Sequence, residues 1–248
     1  MISDPTTLAW VLFAAFGSAV IGGMGGFGTG IILTAVLIPL IGVKAVVPVL
    51  ALAGVLINSG RFWFYRQHID RRVMMTVLLT ALPSLLVGTL IYATLDARPL
   101  GVMIGFLILL SIPLRRVLKA RQMTIGTRGV LAGAAAFGLT NGFASGMGVI
   151  LVSLLLGAGL SGPAVLATDA LVTIVVDLAR AAMFGKYDLL DGASASLGIM
   201  IGVATFPGSW LASLLVNRLK ASLHILFMES LIVFGGVMII WNSLRLAP

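Results

Sequence analysis

The 248-residue chain is 60% hydrophobic and only 10% charged, with a mean hydropathy of +1.16, which excludes an ordinary soluble domain. It has no cysteine, which rules out disulfides, thiolate chemistry and cysteine-held metals, and its two histidines, His68 and His224, are too few for a histidine metal site. The formal charge of +8 would suggest a nucleic-acid partner for a soluble protein, but here the basic residues cluster in short loops between apolar runs, so no such partner is expected and the charge reports topology.

A hydrocarbon layer of about 30 Å takes about 20 residues per helical span, so the length allows roughly eight full spans and no soluble domain. The opening Met1-Ile2-Ser3-Asp4-Pro5 lacks the basic region of a signal peptide; Asp4 reads as a helix N-cap followed by proline at the first helical position, so a retained first helix is expected. Apolar runs then follow over 8–24, 30–41, 45–64, 73–94, 98–114, 129–144, 148–160, 164–184, 193–216 and 223–244. The fold class expected is all-α: a polytopic helical membrane protein of about eight full spans, or ten segments with the short ones counted. Ten of the sixteen Lys and Arg fall in three loops: Arg66, Arg71 and Arg72; Arg115, Arg116, Lys119, Arg121 and Arg128; and Arg218 and Lys220. The positive-inside rule makes these loops cytoplasmic and puts Asp96 and Arg98, and Lys186, Asp188 and Asp191, outside.

With these sides assigned, 45–64 runs inward and 164–184 runs outward, so two halves of opposite topology are expected, residues 1–122 and 123–248, with the basic stretch from Arg115 to Arg128 as linker. At a shift of 118, seven of the forty-three positions from Gly28 to Asp70 are identical, a level that apolar sequence reaches by chance. The repeat therefore rests on segment order, topology and the placement of glycines agreeing at that shift.

Six of the nine residues from Gly22 to Gly30 are glycine, and glycine costs about 1 kcal/mol relative to alanine inside a helix, so the chain is expected to unwind there. A second break is expected at Gly142-Phe143-Ala144-Ser145-Gly146-Met147-Gly148. Unwound backbone cannot face lipid, so both breaks should be buried or line a wet cavity. At the second break Thr140, Asn141 and Ser145 supply hydrogen-bond donors, and the start of the short segment after it presents free N–H groups, which together suit an anion. The competing reading is close helix packing, because Gly138, Gly142 and Gly146 recur every four residues.

Asp169, Thr173, Asp177 and Arg180 are spaced four, four and three apart and share one stripe of the 164–184 helix. An isolated charge at that depth costs at least about 2.5–3.5 kcal/mol, so Asp177 and Arg180 should pair, either for structure alone or with Arg180 contacting an anion and Asp177 exchanging a proton. Asp169 suits a boundary or capping role as well as a coupling one. On the related first-half helix, Asn58, Arg61 and Tyr65 share a face, with Arg61 either facing substrate or snorkelling outward beside Arg66. Glu229 is a further candidate proton acceptor or a partner for His224, and Trp63, Trp210, Trp241 and Tyr92 read as interface anchors.

Gly28-Thr29-Gly30-Ile31-Ile32-Leu33, then Pro39-Leu40 and Arg66-Gln67-His68-Ile69-Asp70, recur as Gly138-Leu139-Thr140-Asn141-Gly142 with Gly146-Met147-Gly148, then Ser161-Gly162-Pro163-Ala164 and Lys186-Tyr187-Asp188. In these motifs, over nearly its whole length, the chain resembles the TauE/SafE sulfite exporter family, also called the TSUP permeases. The second break departs from a dense glycine run at Ala144, Ser145 and Met147. The resemblance implies transport of sulfite, organosulfonates or other small organic anions across a prokaryotic cytoplasmic membrane.

The function expected is secondary transport by alternating access, since no Gly-x-x-x-x-Gly-Lys-Ser/Thr loop exists to bind a nucleotide. The substrate-binding set is Gly25, Gly26, Gly28, Thr29, Asn58, Arg61, Thr140, Asn141, Ser145, Gly146 and Arg180, with Asp169, Asp177 and Glu229 for coupling or ion pairing. The partners are a small anion, the bilayer and a coupling proton, with no cofactor, no metal and no catalytic residue. The competing classes are a transporter of another small organic anion, an intramembrane hydrolase with Ser145 as nucleophile, and a channel or membrane scaffold.

Overall fold

The computed structural model describes residues 4–25, 28–121, 125–215 and 221–245, all helices and short connections, with no strand among them. The helices run α1 Pro5–Gly25, α2 Thr29–Ile41, α3 Val43–Tyr65, α4 Arg71–Thr94, α5 Ala97–Arg121, α6 Thr127–Phe143, α7 Gly148–Gly157, α8 Pro163–Lys186, α9 Gly192–Leu215 and α10 Ala221–Arg245, with a 3-10 turn over Arg66–His68. The ten apolar segments of the sequence correspond to these ten helices.

Local chemistry sets several boundaries. Asp4 accepts hydrogen bonds from the amides of Thr6 and Thr7 at 3.3 and 2.9 Å, with Pro5 as the first residue of α1. The hydroxyls of the same two threonines also donate to the Asp4 carboxylate and hold it well below the usual carboxylate range. Asp70 caps α4 through the amide of Val73 at 2.9 Å, and Asp191 caps α9 through the amide of Ser194 at 2.7 Å. Two-residue or shorter links join α2 to α3 and α4 to α5, where Gly42 and the Leu95-Asp96 pair turn the chain.

Five described helices are long and apolar enough to cross a bilayer: α1, α3, α4, α5 and α9. α8 has the length, but Asp169, Asp177 and Arg180 lower its hydropathy, and α2 and α7 are 13 and 10 residues long, too short to cross alone. Large apolar side chains stay exposed around the bundle, among them Trp10, Phe13, Leu79, Phe106 and Phe234, as a lipid-facing surface requires.

The helix boundaries differ from the sequence reading in two places. α5 continues through the basic stretch to Arg121, because a helix whose apolar turn has left the hydrocarbon loses nothing by extending with Arg, Lys and Leu, which are good helix formers. The expected linker from Arg115 to Arg128 therefore begins as helix, and its centre near 122 lies outside the described residues. The first break is also narrower than nine residues: α1 stays helical to Gly25, with Gly22 pressed so closely on Thr29 that a Cβ there would overlap its backbone.

Pairwise packing organises the bundle: α3 lies against α8 and α9, α4 against α6 and α8, α1 against α9, and α5 against α10. One buried apolar core joins residues of α1, α2, α3, α5, α8, α9 and α10 with Tyr92 of α4 and Phe143 of α6, and includes Leu37, Val46, Leu100 and Ile104; a second joins α4, α6, α7 and α8, including Leu85, Phe137 and Leu151. α3 belongs to the first core and α8 contributes to both, and these two packed helices bear Arg61, Asp169, Asp177 and Arg180.

Candidate functional site

A cavity of 1310 Å³ runs into the bundle between α3, α8 and α9, and its floor is formed by the two chain breaks. Gly28, with φ of 108°, turns the chain into α2, and Gly146, with φ of 89°, turns it toward α7. Both need the left-handed backbone that glycine adopts without steric cost. The breaks touch: a Cβ on Gly30 would lie 3.1 Å from the Cα and N of Gly146, and a Cβ on Gly146 would lie 2.7 Å from the N of Ile31. Glycine at these positions lets the starts of α2 and α7 converge on one point, and Gly28, Thr29, Gly30, Gly146, Met147 and Gly148 all line the cavity. The first-turn N–H groups of a helix have no intrahelical partner and carry partial positive charge, so the floor is suited to an anion.

The other two glycines of the four-residue series serve packing. A Cβ on Gly138 would overlap the carbonyl of Ala81, and one on Gly142 would lie 2.7 Å from Gly88. α6 and α4 thus pack backbone to backbone, as small-xxx-small spacing allows.

Arg180 is the largest fully buried side chain among the described residues and lines the cavity wall. Its Nη2 donates to Asp177 Oδ1 at 2.7 Å, and its Nη1 donates to the carbonyl of Asn141 at 2.6 Å, with longer contacts to Asn141 Oδ1 and the carbonyl of Ala144. Those carbonyls belong to the last turn and C-cap of α6, where main-chain acceptors are left over and a cation is favoured. Arg180 therefore fastens α8 to the second break. Asp177 in turn presses on α3, where a Cβ at Gly54 would overlap its carboxylate.

A second ion pair lies nearer the mouth. Arg61 of α3 reaches Asp169 of α8 at 3.1 Å and also donates to Asn58 Oδ1, while Asn58 Nδ2 donates to the carbonyl of Gly54 at 2.8 Å. Arg61 is thus held inward instead of snorkelling, and Asp169 is buried two turns inside α8 with no capping role, since Gly162 precedes the helix. Three buried polar atoms in this region have no hydrogen-bond partner: Ser145 Oγ, Asp169 Oδ1 and Arg180 Nε. Ser145 and Arg180 both line the cavity, and their unused donors are buried beside it.

The candidate residues distribute unevenly. Gly28, Thr29, Asn58, Arg61, Asn141, Ser145, Gly146, Asp169, Asp177 and Arg180 all line the one cavity. Gly25 ends α1, and Gly26 lies outside the described residues. Thr140 is absent from the lining; its hydroxyl donates to the carbonyls of Ala136 and Phe137 on its own helix. Glu229 is also elsewhere, paired with Arg116 of α5 at 2.5 Å, and the side chain of His224 lies outside the described residues. Tyr92 is no interface anchor: it is fully buried and donates to the carbonyl of Val43 at 2.8 Å. Its position near the end of a span suggested an anchor, and only the direction in which α4 turns that face could have shown otherwise. Sequence reasoning also missed the apolar walls supplied by Leu50, Ile57, Phe137 and Phe206, which carry no polar signal to mark them.

The cavity opens beside Ser59, Trp63 and Tyr65 at the end of α3 and beside Phe206, Ser209 and Trp210 of α9. Toward the far end of α3 the lining stops at Leu50; beyond it Lys44 Nζ donates to the carbonyls of Tyr92 and Ala93, the Tyr92 ring lies 5.0 Å from that of Phe184, and Val43, Lys44 and Ala45 line a separate cavity of 410 Å³. A family model described as Sulfite exporter TauE/SafE matches residues 11–239 of the chain. Neither curated proteins nor solved structures gave a match.

Proposed function

The chain belongs to the TauE/SafE sulfite exporter family, and from that premise we propose that it is a secondary transporter of small sulfur-containing anions, sulfite or organosulfonates, working by alternating access. The observation that carries this reading is the meeting of two helix N-termini at one buried point, beside the unpartnered Ser145 hydroxyl and Arg180 Nε. An anion there accepts hydrogen bonds from the first-turn amides of α2 and α7, from Ser145 and from the Asn141 amide, while Arg180 holds the second break in place and offers its remaining N–H. Arg61, with Asn58, receives the anion nearer the mouth.

In this reading α1–α5 and α6–α10 are inverted repeats, and the cavity faces the cytoplasm of a prokaryotic cell because it opens at the end of α3 that leads to Arg66, Arg71 and Arg72. Movement of one repeat against the other then exposes the crossing point to the opposite side. Asp169 and Asp177 are the carboxylates that take up a coupling proton, since each faces an arginine whose pairing changes when an anion binds. The apolar walls from Leu50, Ile57 and Phe137 also favour the second reading, a small organic anion with an apolar body.

The test is thermal stabilisation of the purified protein by sulfite, thiosulfate, sulfoacetate, taurine, sulfate and pyruvate, followed by flux in proteoliposomes. Stabilisation and saturable flux with the sulfur anions support the proposal. Stabilisation by pyruvate alone transfers it to the organic-anion reading, and linear flux points to a channel.

A further inference from the structure

Resting on that alternating-access reading, we propose that Tyr65 of α3 and Trp210 of α9 close the cytoplasmic mouth in the alternate state, as Tyr92 of α4 and Phe184 of α8 close the opposite side in this one. The closed side is a built contact. Tyr92 and Phe184 are fully buried, their rings are 5.0 Å apart, and the Tyr92 hydroxyl and the Lys44 ammonium tie the start of α3 to the end of α4. The open side has the same kind of residue: Tyr65 is half-buried, Trp210 is 66% exposed, and both line the cavity.

The correspondence is positional. Phe184 follows Arg180 by four residues and Tyr65 follows Arg61 by four, and each arginine is bonded to the residue three before it, Asp177 or Asn58. Tyr92 and Trp210 are 118 residues apart, the interval that also separates Gly28 from Gly146. The caps Asp70 and Asp191 are 121 apart, so the match on α4 and α9 holds to within one helical turn. The helices that bear each pair are in contact, α4 with α8 and α3 with α9. Closing the mouth buries two large aromatic surfaces, which offsets the opening of the Tyr92 and Phe184 contact on the other side, so the two states can lie close in free energy.

The cysteine-free chain makes the test direct. Two double variants, Tyr65→Cys with Trp210→Cys and Tyr92→Cys with Phe184→Cys, are treated in proteoliposomes with a short bis-maleimide, because sulfite would cleave a disulfide. The expected result is that adding taurine or sulfoacetate changes the cross-linking of the two pairs in opposite directions, and that locking the Tyr65/Trp210 pair removes flux in proportion to the cross-linked fraction. Single variants Ser59→Cys and Ala45→Cys report maleimide access at the two ends of α3. If their access alternates with substrate while the Tyr65/Trp210 pair neither cross-links nor blocks flux, the gate assignment is overturned and alternating access stands. If access changes at neither end, alternating access and the gate fall together. A Trp210→Phe variant that keeps flux beside a Trp210→Ala variant that loses it supports closure by an aromatic surface.

Discussion

Gly146→Ala tests the crossing of the two breaks. The substitution places a methyl group on a residue with φ of 89°, which costs about 1–2 kcal/mol in the left-handed region. The new Cβ would also lie 2.7 Å from the backbone N of Ile31 and 2.5 Å from its Cγ1. The side-chain atom can rotate away, but the backbone atom cannot, so the starts of α2 and α7 must separate at an overpacking cost of about 1–3 kcal/mol. The sum is about 2–5 kcal/mol. Gly159→Ala is the control, since its φ of 92° imposes the same backbone strain while nothing lies within 4 Å of its Cβ, leaving about 1–2 kcal/mol. The assay is the thermal midpoint in detergent, followed by tryptophan fluorescence, with saturable anion flux measured in parallel. Gly146→Ala should melt below Gly159→Ala and lose flux, because separating the helix starts moves their N–H groups off a common point. Equal midpoints with equal flux would refute the argument that the breaks are held in contact.

Arg180→Met should destabilise more than Asp177→Ala. The aspartate change leaves a buried guanidinium still bonded to carbonyls, at about 3–5 kcal/mol, while the arginine change strands the Asp177 carboxylate and also the Asn141 and Ala144 carbonyls, at about 1–3 kcal/mol each. Equal thermal midpoints for the two variants would remove Arg180 from its role at the second break. Glu229→Gln should cost under about 1 kcal/mol, since its partner Arg116 is 70% exposed and solvent-screened, and flux at fixed pH should match the unsubstituted protein. A large loss of flux would return Glu229 to the transport path. The Asp191 carboxyl is held below its ordinary value by hydrogen bonds from Ser194, so its contribution to α9 is present above the ordinary carboxylate pKa of about 4 and is lost as pH falls through the lowered value. Midpoints recorded from pH 6 down to pH 3 should drop less steeply in Asp191→Asn, and parallel curves would exclude this cap from the acid response.

The class of the molecule was legible residue by residue. Hydropathy acts along the chain, so ten apolar runs became ten helices, and clustered glycines marked the two breaks that precede α2 and α7. Loop charge gives an expected side to each segment on the same local grounds, since each loop is a local object. What the sequence left open depends on how each helix is rotated and which distant helix it meets. Asp169 and Arg61 are 108 residues apart and form one pair, Glu229 found Arg116 on another helix, and Thr140 turned back on its own carbonyls. The glycine series shows the divide most closely: equal spacing suggested one role for Gly138, Gly142 and Gly146, but the first two pack on α4 and the third touches the opposite break. A repeat of four residues specifies a shared helical face only while the helix lasts, and α6 ends at Phe143, so beyond it the tertiary structure alone decided what Gly146 meets.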